Sequence, residues 1–392
     1  MNKYFYKIID SIKTIFPYSV GWCLKWFLPI NENKFFFMSM FGNSYGDSVR
    51  NISDYVKEHH PNAEIIWAFS NYSYDNFCVE CKKVKTLSFK YYYHIITSKF
   101  IVSNFSFKKT MLIKRKGQVK LQTWHGTALK RIGEDAIISD HSKIALIFKP
   151  DTLSVEAERT DLFISGSKFM TEVYHRALKY KKTIFETGMP RNDIFFHSRP
   201  DVKKKIRTFY GIEENKRIIL YAPTFRPDGK FTYYDVDLNA IKAYFQEKTG
   251  IEHVIYIRLH SGLVKKSDEI ADFFPKGIVN ATLYPDMQEL LYGTDILVTD
   301  YSSSMFDFMY TYRPVIMYIP DKDLYNRGFY FDIEHLPFIK INNNKEITSK
   351  LDSYKEKDYR NNVNKFLDEI GSVDNGHSTE KVYKLMIESG EK

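Results

Sequence analysis

The side chain best suited to proton transfer is His125, which stands in a Trp-His-Gly sequence directly behind an apolar alternation. Val119, Leu121 and Thr123 predict a strand, and we expect a helix to open directly behind the turn. Ligands of open α/β sheets bind at the carboxyl ends of strands. Because histidine titrates near neutral pH, an imidazole there could serve as a general base. A histidine that only caps a turn fits this segment equally well.

Three serines follow another predicted strand, Ile296–Thr299, at the point where a helix would begin. A helix N-terminus has unpaired N–H groups and the positive end of the helix dipole, so Ser302 and Ser303 suit a phosphate ligand. Asp307, one turn further on, could accept a hydroxyl of the same ligand. A simply capped helix is the alternative, although one serine would suffice for it.

Basic side chains mark a third strand end. Arg258 and His260 lie on either side of Leu259 and, on the two-residue period of a strand, point the same way. A cation beside an imidazole suits a pyrophosphate or a departing phosphate. A surface arginine and histidine are the alternative interpretation.

Two turns add further polar groups. The segment Leu220–Arg226 passes from strand to loop at Pro223 and offers Thr224, and the segment Gly188–Asp193 contributes Arg191. The chain has no P-loop, dinucleotide-binding fingerprint or H-E-x-x-H sequence, and we expect neither a metal nor a cofactor.

Alternating strands and helices are needed to position these side chains. Apolar runs predict eleven strands: Phe35–Met40, Glu64–Phe69, Phe100–Ser103, Val119–Thr123, Leu162–Ser165, Thr183–Glu186, Ile218–Tyr221, Val254–Arg258, Gly277–Asn280, Ile296–Thr299 and Val315–Tyr318. Helical patterns lie between or after them, at Asp47–His59, Ser167–Lys179, Leu238–Glu247, Ser303–Tyr310 and Ser378–Glu388. This alternation predicts parallel sheets. Eleven strands exceed one comfortable sheet, so we expect two Rossmann-like domains that divide near Gly188–Asp193.

The overall composition restricts the class of partner. The chain has 392 residues and a formal net charge of +9, which suits a phosphorylated substrate, an anionic membrane or nucleic acid. Lysines and arginines are spread without a recognisable nucleic-acid-binding module, so a nucleic-acid binder ranks last. The 3 cysteines are too few for a disulfide framework and indicate a reducing compartment.

The first 30 residues combine apolar and basic side chains at helical spacing. Phe5, Ile8, Ile12 and Ile15 fall on one helical face, and tryptophans and phenylalanines follow. The uncharged run Thr14–Leu24 is too short to span a bilayer. A basic amphipathic segment of this kind can lie in a membrane interface. A helix packed on the protein's own core is the alternative.

Together these segments, in this order, resemble the CDP-glycerol glycerophosphotransferase family of teichoic-acid and capsule synthesis. The resemblance runs from about Phe100 to Asp332 and covers five motifs and a late one. They are Trp-His-Gly-Thr with Leu-Lys-Arg behind it, Thr-Gly-x-Pro-Arg-Asn-Asp, Tyr-Ala-Pro-Thr-Phe-Arg, Arg-x-His, Thr-Asp-Tyr-Ser-Ser followed by Asp307, and Arg-Gly-Phe-Tyr-Phe-Asp from Arg327. Ala128 stands where the family usually has proline.

The resemblance implies an α/β fold of the GT-B class, in which two Rossmann-like domains with parallel sheets face a central cleft. Residues 31–190 would form the acceptor-side domain and residues 191–375 the CDP-donor domain, with a membrane-associating segment at 1–30 and a C-terminal helix at 376–392. Substrate contacts implied by the family are Trp124, Gly126, Thr127, Ala128, Arg191, Pro223, Thr224, Arg258, Leu259, Ser302, Ser303 and Asp307.

The resemblance also implies transfer of an alditol phosphate from a CDP-activated donor to a hydroxyl, with release of CMP. The acceptor would be a lipid-linked polyprenyl-phosphate intermediate or growing polymer, and the protein would attach peripherally to the anionic surface of the cytoplasmic face of the cell membrane. Our hypothesis is that His125 is the general base and that Arg258, His260 and the backbone at Ser302 and Ser303 stabilise the phosphate charge.

Other functions remain open at this point. A transferase of the same fold could use CDP-ribitol or a nucleotide sugar, and a sugar-nucleotide epimerase is a further possibility. A catalytically silent membrane scaffold would bind liposomes but release no CMP.

Overall fold

Two parallel β-sheets organise the chain in the computed structural model, which describes residues 15–71, 73–75, 81–108, 110–139, 152–224, 234–259, 277–322 and 328–391. The chain divides into two units. Unit 1 comprises Met1–His125, Ser142–Asp193 and Val373–Lys392, and unit 2 comprises Gly126–His141 and Ile194–Ser372. The chain therefore leaves unit 1 directly after His125, is part of it again from Ser142 to Asp193, and returns to it once more for α13 at Ser378–Gly390.

Unit 1 contains a 7-stranded parallel sheet in the order β3-β2-β1-β4-β5-β6-β7. Its strands are β1 (Asn31–Met38), β2 (Glu64–Phe69), β3 (Lys82–Lys85), β4 (Ser98–Ser103), β5 (Val119–Gln122), β6 (Leu162–Ser165) and β7 (Ile184–Glu186). Both faces are covered, which is why the central strands are nearly continuous apolar runs. In β1, Phe35 and Phe37 join one core cluster while Phe36 and Met38 join the other.

Helices cover the two faces of this sheet. They are α1 (residues 15–24), α2 (Asp47–His59), α3 (Phe89–Thr97), α5 (Thr152–Arg159), α6 (Lys168–Ala177) and α13 (Ser378–Gly390), while α4 (Gly133–Ser139) belongs to unit 2. A short 3-10 helix spans Met40–Gly42, and another, Pro190–Phe196, leads into unit 2. Val382 and Met386 of α13 pack in the same cluster as Phe35 and Phe37, so the last helix completes the core of unit 1.

Asp193 fixes the start of α13. Its carboxylate accepts hydrogen bonds from the backbone N–H groups of Ser378 at 3.0 Å and Thr379 at 2.8 Å. These N–H groups have no partner within the helix, so the carboxylate satisfies them and interacts favourably with the helix dipole. The helical pattern predicted at Ser378–Glu388 is confirmed, and its place is on unit 1.

Unit 2 contains a 6-stranded parallel sheet in the order β10-β9-β8-β11-β12-β13. Its strands are β8 (Arg217–Ala222), β9 (His253–Ile257), β10 (Val279–Asn280), β11 (Ile296–Thr299), β12 (Val315–Tyr318) and β13 (Ile339–Ile341). Besides α4, the α-helices among its described residues are α7 (Pro200–Tyr210), α8 (Leu238–Thr249), α9 (Met287–Gly293), α10 (Ser304–Phe308), α11 (Ile347–Asp352) and α12 (Glu356–Glu369). Its short 3-10 helices are Met309–Thr311, Ile333–His335 and Asn344–Glu346.

The structure corrects the sequence interpretation in two places. All eleven predicted strands are present, but β3 and β13, each at the edge of a sheet, were missed. Only Val84 of β3 is buried and β13 has 3 residues, so neither shows the apolar run of an interior strand. The helix expected directly behind His125 is wrong, because α4 begins only at Gly133.

Candidate functional site

His125 lies at the carboxyl end of β5 and is the last residue of unit 1 before the chain enters unit 2. The turn is formed by left-handed backbone at Trp124, with φ of 55°, and at Gly126, with φ of 104°. The Trp124 backbone N–H donates to the Gln122 side-chain oxygen at 3.0 Å. The indole ring of Trp124 stacks on the imidazole ring of His125, with the ring centroids 4.5 Å apart. The indole therefore fixes the orientation of the imidazole plane.

One hydrogen bond determines which nitrogen of His125 is available for chemistry. Its Nδ1 lies 2.9 Å from the backbone oxygen of Asn104. A carbonyl can only accept, so Nδ1 carries the proton and the neutral ring keeps its lone pair on Nε2. Burial lowers the pKa of His125 below its ordinary value, against smaller opposing effects of the Asn104 carbonyl and Asp47. The ring is thus a neutral base at neutral pH, with Nε2 as the accepting atom.

This lowered pKa predicts the pH dependence of turnover. A general base works only when deprotonated, so kcat/KM should fall as the pH drops through the pKa of His125 in the free enzyme. Since burial depresses that pKa below the ordinary histidine value of 6.5, we expect the acid limb of the profile below pH 6.5. Measuring initial rates of turnover against pH in constant-ionic-strength buffers tests this; an acid limb above pH 6.5 would contradict it.

Asn104 holds the histidine in place, and the sequence analysis missed it. The side chain is fully buried at the end of β4. Its oxygen accepts from the Met40 N–H at 2.9 Å and its amide donates to Ser39 at 3.1 Å. Strands β1 and β4 are the neighbours at which the strand order of this sheet reverses, the position where such sheets bind ligands. A buried polar residue directly behind the apolar run of β4 was the available signal.

Arg191 also lies in unit 1, where it forms an ion pair with Asp47. Its Nη1 is 3.2 Å from the Asp47 carboxylate, and both side chains are largely buried. The backbone N–H of Arg191 donates to the Ser48 hydroxyl at 3.3 Å. Both members of the pair interact electrostatically with His125. The structure thus groups Trp124, His125 and Arg191 of the predicted site within one unit.

In unit 2, three of the predicted segments follow adjacent strands. Strand β8 lies between β9 and β11, and all three are parallel, so their carboxyl ends share one edge. The order of strands reverses between β8 and β11. There the Thr224 N–H, behind a buried Pro223, donates to the Asp300 carboxylate at 2.9 Å and connects the two strand ends. This edge is the expected ligand position of such a sheet.

Arg258 follows β9 at the same edge. Its Nη1 donates to the Tyr284 backbone oxygen at 2.6 Å, and burial lowers its pKa. The guanidinium remains cationic at any physiological pH and has five N–H donors, so one backbone contact leaves donors for an anion. Leu259 is buried, and its N–H donates to the Thr282 hydroxyl at 3.1 Å, which makes its backbone a fixed part of the turn.

The serine segment starts helix α10, as predicted. The Ser303 side chain makes no capping hydrogen bond, whereas the Ser302 hydroxyl accepts from the Ser304 N–H at 3.3 Å and lies 2.9 Å from the Ser304 hydroxyl. Asp307 is buried and accepts from Gln288 at 3.0 Å. Ser302 and Ser303 are therefore the partly exposed polar groups of this segment.

Gly126, Thr127 and Ala128 open the segment that joins unit 2. Just beyond them Leu129 accepts a hydrogen bond from the Tyr330 N–H at 2.8 Å, and Lys130 pairs with Phe329 in an antiparallel bridge. The late Gly-Phe-Tyr-Phe sequence thus holds the chain that leaves the histidine turn.

Some predicted groups lie outside the described residues. They are His260, the second catalytic candidate, together with Arg226 and Arg327 of the neighbouring motifs.

The two parallel sheets, with polar and basic groups where their strands end, fit an α/β fold of the GT-B class. A solved variant of the wall teichoic acid polymerase TagF, soaked with CDPG, aligns with a TM-score of 0.82 at 27% identity, covering 99% of this chain and 98% of that chain. The family model described as CDP-glycerol:poly(glycerophosphate) glycerophosphotransferase matches residues 22–388, and the chain belongs to this family.

Two curated relatives match along nearly their whole length. The teichoic acid poly(glycerol phosphate) polymerase of Bacillus spizizenii is 31% identical over 94% of this chain and 96% of its own. The teichoic acid glycerol-phosphate transferase of Staphylococcus aureus is 30% identical over 97% of this chain and 100% of its own. The predicted family, α/β GT-B fold and transferase class are confirmed; the residue roles stay predictions.

Proposed function

We propose that this protein transfers glycerol phosphate from CDP-glycerol to a terminal hydroxyl of a growing poly(glycerol phosphate) chain and releases CMP. The observation that carries the proposal is the state of His125: a neutral imidazole with Nδ1 committed to Asn104, in the Trp-His-Gly-Thr motif of the family. When an acceptor hydroxyl attacks phosphorus, a base must take up the proton of that hydroxyl.

The proposed reaction is a single displacement at the phosphorus that carries the glycerol. The acceptor oxygen forms a bond to that phosphorus, and the bond from phosphorus to the bridging oxygen of CMP breaks. The hydroxyl proton goes to Nε2 of His125, and CMP leaves with the bonding electrons. Positioning and electrostatic stabilisation supply most of the rate enhancement in phosphoryl-type transfer.

The polar groups at the strand ends of unit 2 are proposed to bind the donor. Arg258 supplies a permanent cation and several N–H donors for the diphosphate. Ser302 and Ser303 supply hydroxyl and backbone N–H groups at the start of α10. His260 is proposed as a second donor to the phosphate that leaves with CMP.

A comparison of donors tests this function. We expect CMP release and products that grow by glycerol phosphate units when CDP-glycerol and a lipid-linked glycerol phosphate acceptor are supplied, as measured by mass spectrometry. CDP-ribitol and a UDP-sugar are the comparison donors. Preferred use of CDP-ribitol would replace glycerol by ribitol in the proposal, and no CMP release from any donor would favour the silent scaffold.

We further propose that the lipid-linked acceptor is met at the cytoplasmic face of the cell membrane, on which unit 1 docks through an aromatic patch. The patch consists of Phe16, Trp22, Trp26, Phe27 and Phe89. Trp26 is 71% and Phe27 81% exposed. Exposed tryptophans and phenylalanines beside a lysine suit a bilayer interface.

Helix α1, which the structure describes from residue 15, bears on both interpretations of the N-terminal sequence; Phe5, Ile8 and Ile12 lie outside the described residues. Its inner side packs on unit 1, because a Cβ at Gly21 would lie only 2.8 Å from that of Tyr92. Its outer side leaves the aromatic patch uncovered, with the Lys25 ammonium 4.3 Å from the Trp22 ring centroid. Within the described ranges, no helix is both long and apolar enough to cross a membrane.

The triple substitution Trp22→Ser, Trp26→Ser, Phe27→Ser should lower binding to phosphatidylglycerol vesicles by at least about tenfold, since each large apolar side chain contributes about 1.5–3 kcal/mol when buried. Vesicle co-sedimentation measures this. The matched control is Phe209→Ser with Leu283→Ser, two side chains of unit 2 that are 59% and 67% exposed. Equal binding of both variants would defeat the docking proposal.

A further inference from the structure

The geometry points to Asp47 as a positioning residue that holds Arg191 beside the Trp124–His125 turn and balances the charge around that imidazole. This inference rests on the proposed function only for its kinetic test. Asp47 belongs to none of the sequence motifs that indicated the function, and it lies 144 positions from Arg191 in the chain.

The backbone at Asp47 adopts an uncommon conformation. Its φ is 64°, in the left-handed region, at the first residue of α2. The loop before it is similar, with Met40 and Phe41 at φ of 45° and 57°. Such residues are strained and persist where the surrounding structure enforces them. Here the conformation turns the carboxylate so that one oxygen accepts from the Ser48 N–H and the other faces Arg191.

The Arg191 side chain is held at both ends. Its backbone N–H donates to the buried Ser48 hydroxyl, one residue from Asp47, while its guanidinium contacts the Asp47 carboxylate at 3.2 Å. The start of α2 therefore determines both the position of the Arg191 backbone and the direction of its guanidinium. The ion pair therefore fixes the direction of a planar cationic group of the kind that binds phosphates.

The charged groups that act on His125 are the same two residues, Asp47 and Arg191. Asp47 raises the pKa of His125 and Arg191 lowers it, while the Asn104 carbonyl raises it through a hydrogen bond and burial lowers it. The fully buried Tyr174, whose hydroxyl has no hydrogen-bond partner among the described residues, interacts with both members of the pair and stays neutral because burial raises its pKa. Removing either charge of the pair therefore leaves the other unbalanced beside the imidazole.

The two members of the pair should consequently shift the titration of His125 in opposite directions. Asp47→Asn removes an effect that raises the pKa, so the acid limb of kcat/KM should move to lower pH. Arg191→Gln should move it to higher pH. Because Arg191 loses its orientation in Asp47→Asn, we also expect kcat/KM to fall by about ten- to a hundredfold. Asparagine tolerates left-handed backbone, so this variant retains the loop conformation.

The matched control is Asp54→Asn, the same change on the same helix. Asp54 pairs with Arg50 at 3.4 Å and does not figure among the charges that act on His125. We expect its pH profile and kcat/KM to equal those of the wild type. Parallel shifts in both aspartate variants, or shifts of the same sign in the Asp47 and Arg191 variants, would overturn the inference.

Titration of the His125 ring by NMR separates this inference from the proposed function. The Cε1–H resonance of His125, assigned by its loss in His125→Gln, is followed against pH in substrate-free enzyme. Opposite shifts of the midpoint in Asp47→Asn and Arg191→Gln support the positioning role even if no donor is turned over. Unchanged midpoints refute it even if CMP release from CDP-glycerol is fast.

Discussion

Replacing His125 with glutamine should lower kcat/KM for CMP release from CDP-glycerol by at least about a hundredfold, since a general base contributes typically about 10²–10⁴-fold. Glutamine can still donate a hydrogen bond toward the Asn104 carbonyl, which His125 contacts at 2.9 Å. It cannot accept a proton from the acceptor hydroxyl. We therefore expect the loss in the chemical step, with donor affinity preserved; single-turnover kinetics and equilibrium CDP-glycerol binding measure the two separately.

The chain offers a matched control in His175. Its Nδ1 also donates to a backbone oxygen, that of Tyr180 at 2.6 Å, and it also lies in unit 1. His175→Gln should retain wild-type turnover, because His175 is on α6 rather than at the end of β5. Normal turnover by a folded His125→Gln enzyme would remove His125 from the mechanism.

The second large effect concerns stability. Lys120 is fully buried in β5, and its ammonium pairs with the carboxylate of Glu156 from α5. Burial lowers the pKa of Lys120 while Glu156 raises it. Glu156→Ala leaves an uncompensated buried charge, which costs about 3–5 kcal/mol of the free energy of unfolding. The pair supports the candidate site, because Gln122, whose amide lies 3.4 Å from Glu156, also accepts from the Trp124 N–H.

Tryptophan fluorescence reports on this unit selectively. All 4 tryptophans, at positions 22, 26, 67 and 124, belong to unit 1, so urea unfolding followed by their emission gives the stability of that unit. Glu156→Ala should move the transition to much lower urea. Lys120→Met combined with Glu156→Leu should recover most of the loss, because apolar side chains replace the pair without a buried charge.

A surface ion pair provides the control for this experiment. Glu380 and Lys384 form an ion pair on α13 of the same unit, with 43% and 63% of their side chains exposed. Exposed pairs contribute little, so Glu380→Ala should leave the urea midpoint nearly unchanged. Equal midpoints for Glu156→Ala and Glu380→Ala would show that the buried pair contributes no more to stability than an exposed one.

The spacing of apolar residues predicted the fold correctly where the buried residues follow one regular period along the chain. The run that forms β1 and the amphipathic helix Asp47–His59 have the expected periods, and both are present. Lys120 shows where pattern fails. In the alternation of Val119 and Leu121 it occupies the position of an outward-facing polar residue, yet it is fully buried, because Glu156, 36 positions away, neutralises it.

The candidate site shows the same limit. The type of residue and its place behind a strand indicated His125, Arg258 and the serine segment. The only local signal for Asn104 was its position directly behind the apolar run of β4, and Asp47 had none, because their partners are 21 and 144 positions away and only the folded sheet brings them together. Motif spacing thus identifies the groups that meet substrate, whereas the groups that orient them depend on tertiary contacts.

The return of the chain to unit 1 for α13 has a consequence for folding during synthesis on the ribosome. All of unit 2 precedes residue 373, so it can fold while the nascent chain is still growing. The core of unit 1 lacks Val382 and Met386 until the α13 segment has left the exit tunnel. At about 5–20 residues per second, strands β1 to β7 wait many seconds for this helix, with part of their apolar face exposed to chaperones. Unit 1, whose strands are made before unit 2, therefore completes its core after unit 2 has been made.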